Sequence, residues 1–195
     1  MRSLTLLRGV RLLACCLVLA GCAGSGVRIA QDALRGQVPV EAFQLTGRVS
    51  VKREAQNLSG TLDWRRAGAV ERLLVSGPLG QGAAEIQREA GTLVLRTADG
   101  VEVREANDAQ MLERLLGVAL PLDGLVWWLS ALPRPGGDFQ AIAGEDGRIA
   151  RLDQDGWQIE YSRYREVAGR WLPGRVFASR GDLEFRLVVD VWEPL

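Results

Sequence analysis

Short stretches in which apolar and polar residues alternate run through most of the chain, and they restrict its fold more than any other feature. In residues 43–51, apolar side chains or glycine hold every odd position and polar side chains every even one. This period is typical of a strand with one buried face. Glycine-containing turns separate the stretches, so the sequence predicts about eleven antiparallel strands in a curled sheet or barrel, around packed side chains or a cavity. Similar alternation occurs at 58–64, 73–75, 93–95, 101–103, 139–143, 149–153, 157–161 and 183–191, where Val189 and Val191 share a face.

Two short helices are predicted between the strands. Residues 120–133 carry apolar side chains at the spacing that lines one helical face. Upstream, Asn107 or Asp108 can cap a helix that ends at Gly117. Two helices within an all-strand chain most often cover one end or face of the sheet. The apolar residues are Met111, Leu112, Leu115 and Leu116 in the first helix and Leu122, Leu125, Val126, Leu129 and Leu132 in the second.

The N-terminus has the pattern of a lipoprotein signal peptide. Three arginines precede an apolar run that is too short to span a bilayer and that ends in Leu-Ala-Gly before Cys22. The thiol of Cys22 is the expected site of diacylglycerol attachment. We therefore predict a signal peptide over residues 1–21, a lipidated tether with a possible short helix over 22–40, and one domain over 41–195. A plain signal peptide with incidental cysteines is the alternative.

The charge balance and the absence of histidine exclude several functions. Of 24 basic and 24 acidic residues, three arginines leave with the signal peptide, so the mature chain has a small acidic excess and no nucleic-acid partner is expected. Without histidine, Ser-His-Asp sites, Cys-His sites and ordinary zinc sites are excluded. Gly80-Gln81-Gly82 and Asp153–Gly156 look like the start of nucleotide and calcium motifs, but both lack the remaining residues. No catalytic residue, metal or cofactor is predicted.

Several motifs resemble the LolB family of outer-membrane lipoprotein receptors. Leu120-Pro121 with Leu125, Trp128 and Pro133 is similar to the family's LPxxxLxxWxxxxP signature. The resemblance extends in order over residues 43–192, and it departs at Ala131, where the family usually has glycine. Further matching segments are Leu45–Arg48, Ser59-Gly60 with Trp64, Pro78-Leu79-Gly80, and Trp157–Tyr161 followed by Tyr164.

This resemblance implies both a fold and a function. The fold would be mainly β, an incomplete antiparallel β-barrel of about eleven strands with a lid of short α-helices, at about residues 107–133, over an apolar cavity. The protein would be a monomer, anchored through palmitate-type acyl chains to the inner leaflet of a Gram-negative outer membrane and facing the periplasm. It would accept cargo lipoproteins from the periplasmic carrier LolA and insert them into the outer-membrane lipid without nucleotide hydrolysis. Ala23 agrees with an outer-membrane location, because an aspartate at that position commonly retains lipoproteins in the inner membrane.

The candidate site residues fall into two groups. The resemblance implies that Leu79, with Pro78 and Gly80, forms a protruding loop that delivers cargo to the membrane. Trp128 is the candidate for a movable lid contact, whereas Trp127 falls away from the apolar stripe. The predicted inward-facing residues of the cavity and lid are Val49, Val51, Leu62, Trp64, Leu73, Val75, Leu93, Leu95, Leu125, Trp128, Leu129, Trp157, Ile159 and Tyr161.

Two alternative functions remain open on sequence alone. A structural accessory lipoprotein of an outer-membrane assembly machine would share the anchor and the sheet but have no lipid cavity. A lipid-hydrolysing lipoprotein is a weaker alternative because the chain has no histidine.

Overall fold

The computed structural model describes residues 27–28, 34, 37–54, 56–77, 84–89, 91–106, 109–111, 113 and 122–195. Cys22, the signal peptide and Pro78, Leu79 and Gly80 lie outside the described residues. The strands are β1 (Val27–Arg28), β2 (Phe43–Arg53), β3 (Gln56–Ala67), β4 (Val70–Ser76), β5 (Ala84–Glu89), β6 (Thr92–Thr97), β7 (Glu102–Glu105), β8 (Phe139–Ala143), β9 (Ile149–Gln154), β10 (Trp157–Ser162), β11 (Arg165–Val167), β12 (Arg170–Leu172), β13 (Arg175–Arg180) and β14 (Leu183–Pro194).

Twelve of these strands form one antiparallel sheet in the order β1-β8-β9-β10-β13-β14-β2-β3-β4-β5-β6-β7, and β11 and β12 form a separate hairpin. Eleven of the twelve are longer than the two residues of β1, which agrees with the predicted number. The sheet is not closed, because no pairing between its edge strands β1 and β7 occurs within the described residues. The prediction of a mainly β, incomplete antiparallel barrel is confirmed.

The helical part of the chain lies between β7 and β8. Helix α1 (Leu122–Leu129) occupies most of the predicted second helix. Residues 109–111 and 113 are helical, as predicted for the first helix, while its proposed caps Asn107 and Asp108 and its end at Gly117 lie outside the described residues. Among the described residues, no helix has the length and apolar character needed to cross a membrane.

The alternating residues form the core on the inner face of the sheet. Along β2, Phe43, Leu45, Val49 and Val51 are buried, and the residues between them are half-buried or exposed. Along β10, Trp157, Ile159 and Tyr161 are buried in the same way. Helix α1 packs against this inner face, because Leu122, Val126 and Leu129 belong to the same apolar cluster.

A β-bulge in β14 overturns one prediction. The pairing with β2 shifts register between Val189 and Val191, so the residue between them has no partner in the ladder. Such a bulge exchanges the two faces for every later residue of the strand. Val191 is therefore exposed instead of sharing a face with buried Val189. Trp192 turns inward, with its ring centre 5.2 Å from that of Phe43.

Two glycines allow neighbouring strands to approach closely. A Cβ atom on Gly47 would lie 2.4 Å from the carbonyl oxygen of Val188, and one on Gly60 would lie 2.2 Å from that of Ser76. Neither position tolerates a side chain unless the backbone moves, so glycine at both positions permits this curvature of the sheet.

Candidate functional site

A small apolar cavity separates helix α1 from the inner face of the sheet. Its volume is about 70 Å³. It extends between the central strands β2, β3, β4 and β14 and the helix. The side chains around it are all apolar: Val49, Val51, Leu58, Leu62, Trp64, Leu73, Val75, Leu122, Leu125, Leu129, Phe185 and Leu187.

Helix α1 closes the cavity on one side. Leu122, Leu125 and Leu129 are three and four residues apart, so they lie on the same face of the helix. The helix ends in a Schellman motif, in which Leu132 N–H donates to the Trp127 carbonyl over 2.9 Å and Ala131 N–H donates to the Trp128 carbonyl over 3.0 Å. Buried Ser130 Oγ also accepts a hydrogen bond of 3.1 Å from Val40 N–H. The end of the helix is thus attached to the segment that leads into β2.

The structure brings most of the predicted inward residues together, but not all. Eight of the fourteen surround the cavity, and the other six are buried or half-buried elsewhere in the core. Four residues of the wall were not predicted: Leu58, Leu122, Phe185 and Leu187. The alternation that marked their neighbours, or the apolar helical stripe, was the signal that could have identified them. The predicted residues away from the wall are Leu93, Leu95, Trp128, Trp157, Ile159 and Tyr161.

Trp128 is held against the sheet instead of facing the cavity. Its indole N–H donates a 2.9 Å hydrogen bond to Oε1 of buried Gln154, and its ring centre lies 5.9 Å from that of Trp157. The Gln154 amide also bonds both backbone groups of Arg134, over 2.8 and 2.7 Å. The end of α1 is therefore fixed by a glutamine whose amide oxygen and nitrogen are both hydrogen-bonded. Trp127 is partly buried against the core.

A buried charge cluster joins the other end of α1 to the cavity wall. The carboxylate of Glu71, in β4, is buried and accepts hydrogen bonds from Trp64 Nε1 at 3.2 Å, from Arg66 at 3.2 Å and from Arg88 at 2.9 Å. Arg66 also forms a 2.8 Å ion pair with Asp123 in the first turn of α1. Because Trp64 borders the cavity, this cluster connects helix, sheet and cavity.

Two tyrosine side chains belong to the core or pack against it: Tyr161 in β10 and Tyr164 just after that strand. The hydroxyl of Tyr161 is buried and has no hydrogen-bond partner among the described residues. Burial raises the pKa of Tyr161 well above its ordinary value. Burial also raises the pKa of Tyr164, whose hydroxyl donates a 2.7 Å hydrogen bond to the Ile149 carbonyl. Both side chains are therefore neutral in ordinary conditions.

The size of the cavity limits what it can hold in this conformation. A volume of about 70 Å³ has room for only a few water molecules, and its wall offers them no polar partner. A fatty acyl chain is larger than this, so it fits only if the elements around the cavity move apart. Within the described part of the chain, no group of three potential metal ligands exists.

Comparison with known proteins identifies the family. The family model described as "Outer membrane lipoprotein LolB" matches residues 41–192. Proteins named outer-membrane lipoprotein LolB from Pseudomonas paraeruginosa and Pseudomonas putida are each 36% identical to this chain over 190 residues, which is 91% of either chain.

Solved structures support the fold alone. A LolA superfamily protein from Nitrosomonas europaea is similar with a TM-score of 0.51 at 10% identity, over 82% of this chain and 88% of that one. A DUF1329 family protein from Desulfovibrio piger has a TM-score of 0.50 at 10% identity, over 84% and 88% of the two chains. The family model covers most of the chain and the sequence relatives cover nearly all of it, so this protein is a member of the LolB family of outer-membrane lipoproteins.

Proposed function

We propose that this protein sorts lipoproteins at the outer membrane: it accepts their acyl chains from the periplasmic carrier LolA beneath helix α1 and passes them to outer-membrane lipid. The observation that carries the proposal is a cavity with a wholly apolar wall under a short helix that can act as a lid. The eight predicted residues on that wall would contact the acyl chains directly. The six predicted residues elsewhere in the core would support them.

The energy for transfer would come from partition and not from nucleotide hydrolysis. Each buried methylene is worth about 0.8 kcal/mol, so an acyl chain in water is strongly driven into any apolar site that admits it. A bilayer stabilises the same chain to a similar extent. Handover can therefore run downhill if each successive site binds the chain slightly better. No step in this scheme requires catalysis, so we do not assign the protein an enzymatic activity.

Helix α1 is attached to the sheet near each of its ends, and lid opening would require one of these attachments to break. The Arg66–Asp123 ion pair is the weaker one, because Asp123 is largely exposed and exposed pairs contribute little. The Trp128–Gln154 hydrogen bond is buried at the other end of the helix. We propose that the Asp123 end opens first and the Trp128 end remains in place. Trp128 would then act as the pivot of the lid.

The delivery step is assigned to the connection between β4 and β5, which contains Pro78, Leu79 and Gly80. Replacement of Leu79 by glutamate should leave folding and cargo acceptance unchanged but block insertion into the membrane. Val101→Glu is the matched control, because Val101 is an exposed apolar residue at the end of the strands from which the β4–β5 connection leaves. Normal insertion by the Leu79→Glu variant would contradict the role of this loop.

The domain organisation follows from the same proposal. Residues 1–21 would be removed as the signal peptide, Cys22 would carry the lipid, and residues 41–195 would form the receptor domain. Cys22→Ser should abolish acylation, which mass spectrometry of the purified protein would detect. Acylation that persists in this variant would place the lipid elsewhere.

Transfer from a loaded carrier tests the proposed function most directly. Carrier that holds a fluorescent lipopeptide is mixed, without nucleotide, with the chain from residue 23, which retains every described element. We expect the label to move to this chain. Leu125→Asn, on the lid, should slow or prevent the transfer, whereas Ile142→Asn, outside the cavity wall on β8, should not. A structural accessory lipoprotein would take up no label in any form.

A further inference from the structure

An arginine-rich hairpin connects β10 and β13. Residues 163–175, here called the arginine hairpin, contain four arginines and one acidic residue, Glu166. Strands β11 and β12 form its two sides. Its base is fixed, because Gly174 N–H donates to the Arg163 carbonyl over 3.1 Å and Val189 N–H donates to the Gly174 carbonyl over 2.9 Å. Leu172 anchors it in the core with only 2% of its surface exposed.

The charges of this hairpin are not neutralised by carboxylates. Arg163, Arg165, Arg170 and Arg175 are exposed, and none of them forms an ion pair within the part of the chain that the structure describes. Arg165 and Arg170 donate instead to the backbone carbonyls of Asp190 and Val38, over 3.0 and 2.6 Å. Most other described arginines pair with aspartate or glutamate, so the hairpin is a local concentration of positive charge on a slightly acidic protein.

The hairpin also exposes a large aromatic side chain. Trp171 is 48% exposed, and the guanidinium of Arg148 lies 3.6 Å from the centre of its ring. Arg148 belongs to the turn between β8 and β9 and also pairs with Asp146 at 2.7 Å. A half-exposed tryptophan beside arginines is the combination found where proteins meet the headgroup region of a bilayer.

The position of the N-terminal segment indicates which partner the hairpin meets. Val27 in β1 pairs with Ala143 in β8, and Ala143 pairs with Ile149, the residue after Arg148. Val27 is therefore about 10 Å from the backbone beside Arg148, which is two strand spacings. Cys22 precedes Val27 by five residues, which span at most about 17 Å when extended. A lipid on Cys22 would hold this corner of the molecule close to the bilayer.

We propose that the arginine hairpin docks on the anionic phospholipid headgroups of the membrane that holds the Cys22 lipid. This inference rests on the lipidation of Cys22 in the proposed function. Guanidinium groups match phosphate oxygens in two-point hydrogen bonds, and each basic residue at an anionic surface strengthens binding about fivefold. The docked hairpin would give the receptor a second contact with the membrane besides the lipid on Cys22, and two contacts would fix its orientation.

In the docked orientation the receptor would not yet be placed to deliver cargo to the membrane. Strands β4 and β10 run in opposite directions in the antiparallel sheet, so the connections that follow them leave at opposite ends of the strands. One connection contains Leu79 and the other is the arginine hairpin. With the hairpin on the membrane, the β4–β5 connection therefore lies at the far end. The receptor would have to turn about its tether to deliver cargo.

Vesicle binding of the chain from residue 23 tests this surface without the contribution of the anchor. The vesicles contain phosphatidylcholine alone or mixed with phosphatidylglycerol, and bound protein is measured by sedimentation. We expect binding that requires phosphatidylglycerol and weakens as salt is added. The double variant Arg163→Gln, Arg175→Gln should bind roughly 25-fold more weakly, because two arginines are lost. The matched control Arg53→Gln, Arg180→Gln removes the same charge from the opposite end of the sheet and should bind nearly as well as the original chain.

Three outcomes would overturn the proposal. The first is vesicle binding without a preference for phosphatidylglycerol, and the second is that the hairpin and control variants weaken vesicle binding equally. The third is that the hairpin variant keeps vesicle binding but no longer binds the carrier, which would assign the surface to an acidic protein.

Uptake of the fluorescent lipopeptide, measured on the same preparations, separates this proposal from the proposed function. Uptake should be unchanged in the hairpin variant. Failure of uptake by the original chain would contradict the receptor function, whatever the vesicle measurements show.

Discussion

Ala131 shows how one residue can conflict with the backbone it occupies. In the Schellman motif after α1, Ala131 adopts a left-handed backbone conformation with a φ of 55°. A Cβ atom is disfavoured there, and glycine is the usual residue at such a position. The glycine that the family resemblance implies at this position would adopt this conformation without strain. The helix end is therefore slightly strained.

Replacement of Ala131 by glycine should stabilise the protein. Relief of the left-handed strain should exceed the loss of one buried methyl group, so we expect the free energy of unfolding to rise by about 0.5–1 kcal/mol. Urea denaturation followed by tryptophan fluorescence would measure it. Ala98→Gly, in an exposed turn without positive φ, is the control and should lower stability slightly. Equal effects of the two changes would disprove the strain.

Glu71 is the residue whose loss should matter most to the site. Glu71→Gln preserves the shape of the side chain but leaves Arg66 and Arg88 beside each other without their shared anion. Removal of one partner from a buried ion pair is costly, and we expect a loss of about 2–4 kcal/mol. Thermal unfolding and urea denaturation would both report it. Glu85→Gln in β5 breaks a more exposed pair with Arg72 and should cost less than about 1 kcal/mol.

Part of this residue-level detail was beyond prediction from sequence. The alternation in β3 correctly placed Trp64 on the inner face. Nothing in the sequence indicated that Glu71 is buried, because its partners Arg66 and Arg88 come from strands on either side. Only the register of β3, β4 and β5 brings them together. A buried charge is tolerated where such partners exist, and pattern alone cannot find them.

At the scale of elements, periodicity predicted nine strands of the large sheet and missed its strands β1, β5 and β13. The short strands β11 and β12 carry no clear alternation and form a hairpin outside the large sheet. The bulge in β14 is likewise invisible in the sequence, because Val189 and Val191 continue the apparent period. The stripe on α1 was predicted, but the position of Trp128 depends on Gln154, which lies in a strand more than twenty residues away.

The curvature of the sheet depends on the close approach of β3 and β4 at Gly60. Gly60→Ala would place a Cβ atom 2.2 Å from the Ser76 carbonyl oxygen, so the strands must separate. Overpacking of this kind costs about 1–3 kcal/mol, and the unfolding midpoint in urea should fall accordingly. Gly144→Ala is the matched control, because the nearest atom to its Cβ would lie 3.4 Å away in the flexible side chain of Asp146. The control should be nearly neutral, and a similar loss in both variants would show that Gly60 is not special.

For the whole molecule, the ionisable groups predict stability that is nearly constant around neutral pH. The chain has no histidine to titrate there. Hydrogen bonds from Arg72, Thr97, Arg104 and Arg148 lower the pKa values of the carboxyl groups of Glu85, Asp99, Glu102 and Asp146, respectively. Their contribution is complete above the ordinary carboxyl pKa values and is lost as the pH falls through the lowered ones. The unfolded chain binds more protons in that range.

In the alkaline range the tyrosines have the opposite effect, because stability falls as the pH rises. Burial raises the pKa values of Tyr161 and Tyr164, so the unfolded chain loses these protons first once the pH exceeds the ordinary value of 10.0. Urea midpoints measured across the pH range should therefore be flat between about pH 5 and 9 and fall on both sides. Tyr164→Phe should reduce the alkaline fall and leave the acid side unchanged. A steep change near neutral pH would contradict this assignment of charges.

The small size of the cavity has a consequence for how the proposed receptor would select its cargo. A protein with a permanently open apolar cavity would bind free fatty acids, detergents and phospholipids from the neighbouring bilayer. Here the cavity is small while α1 lies against the sheet, so the empty molecule would offer such compounds little to bind. The rate of loading would then be limited by lid opening and would reach a plateau as the cargo concentration rises. A carrier that presents its cargo at the lid would load the receptor faster than compounds that arrive by free diffusion.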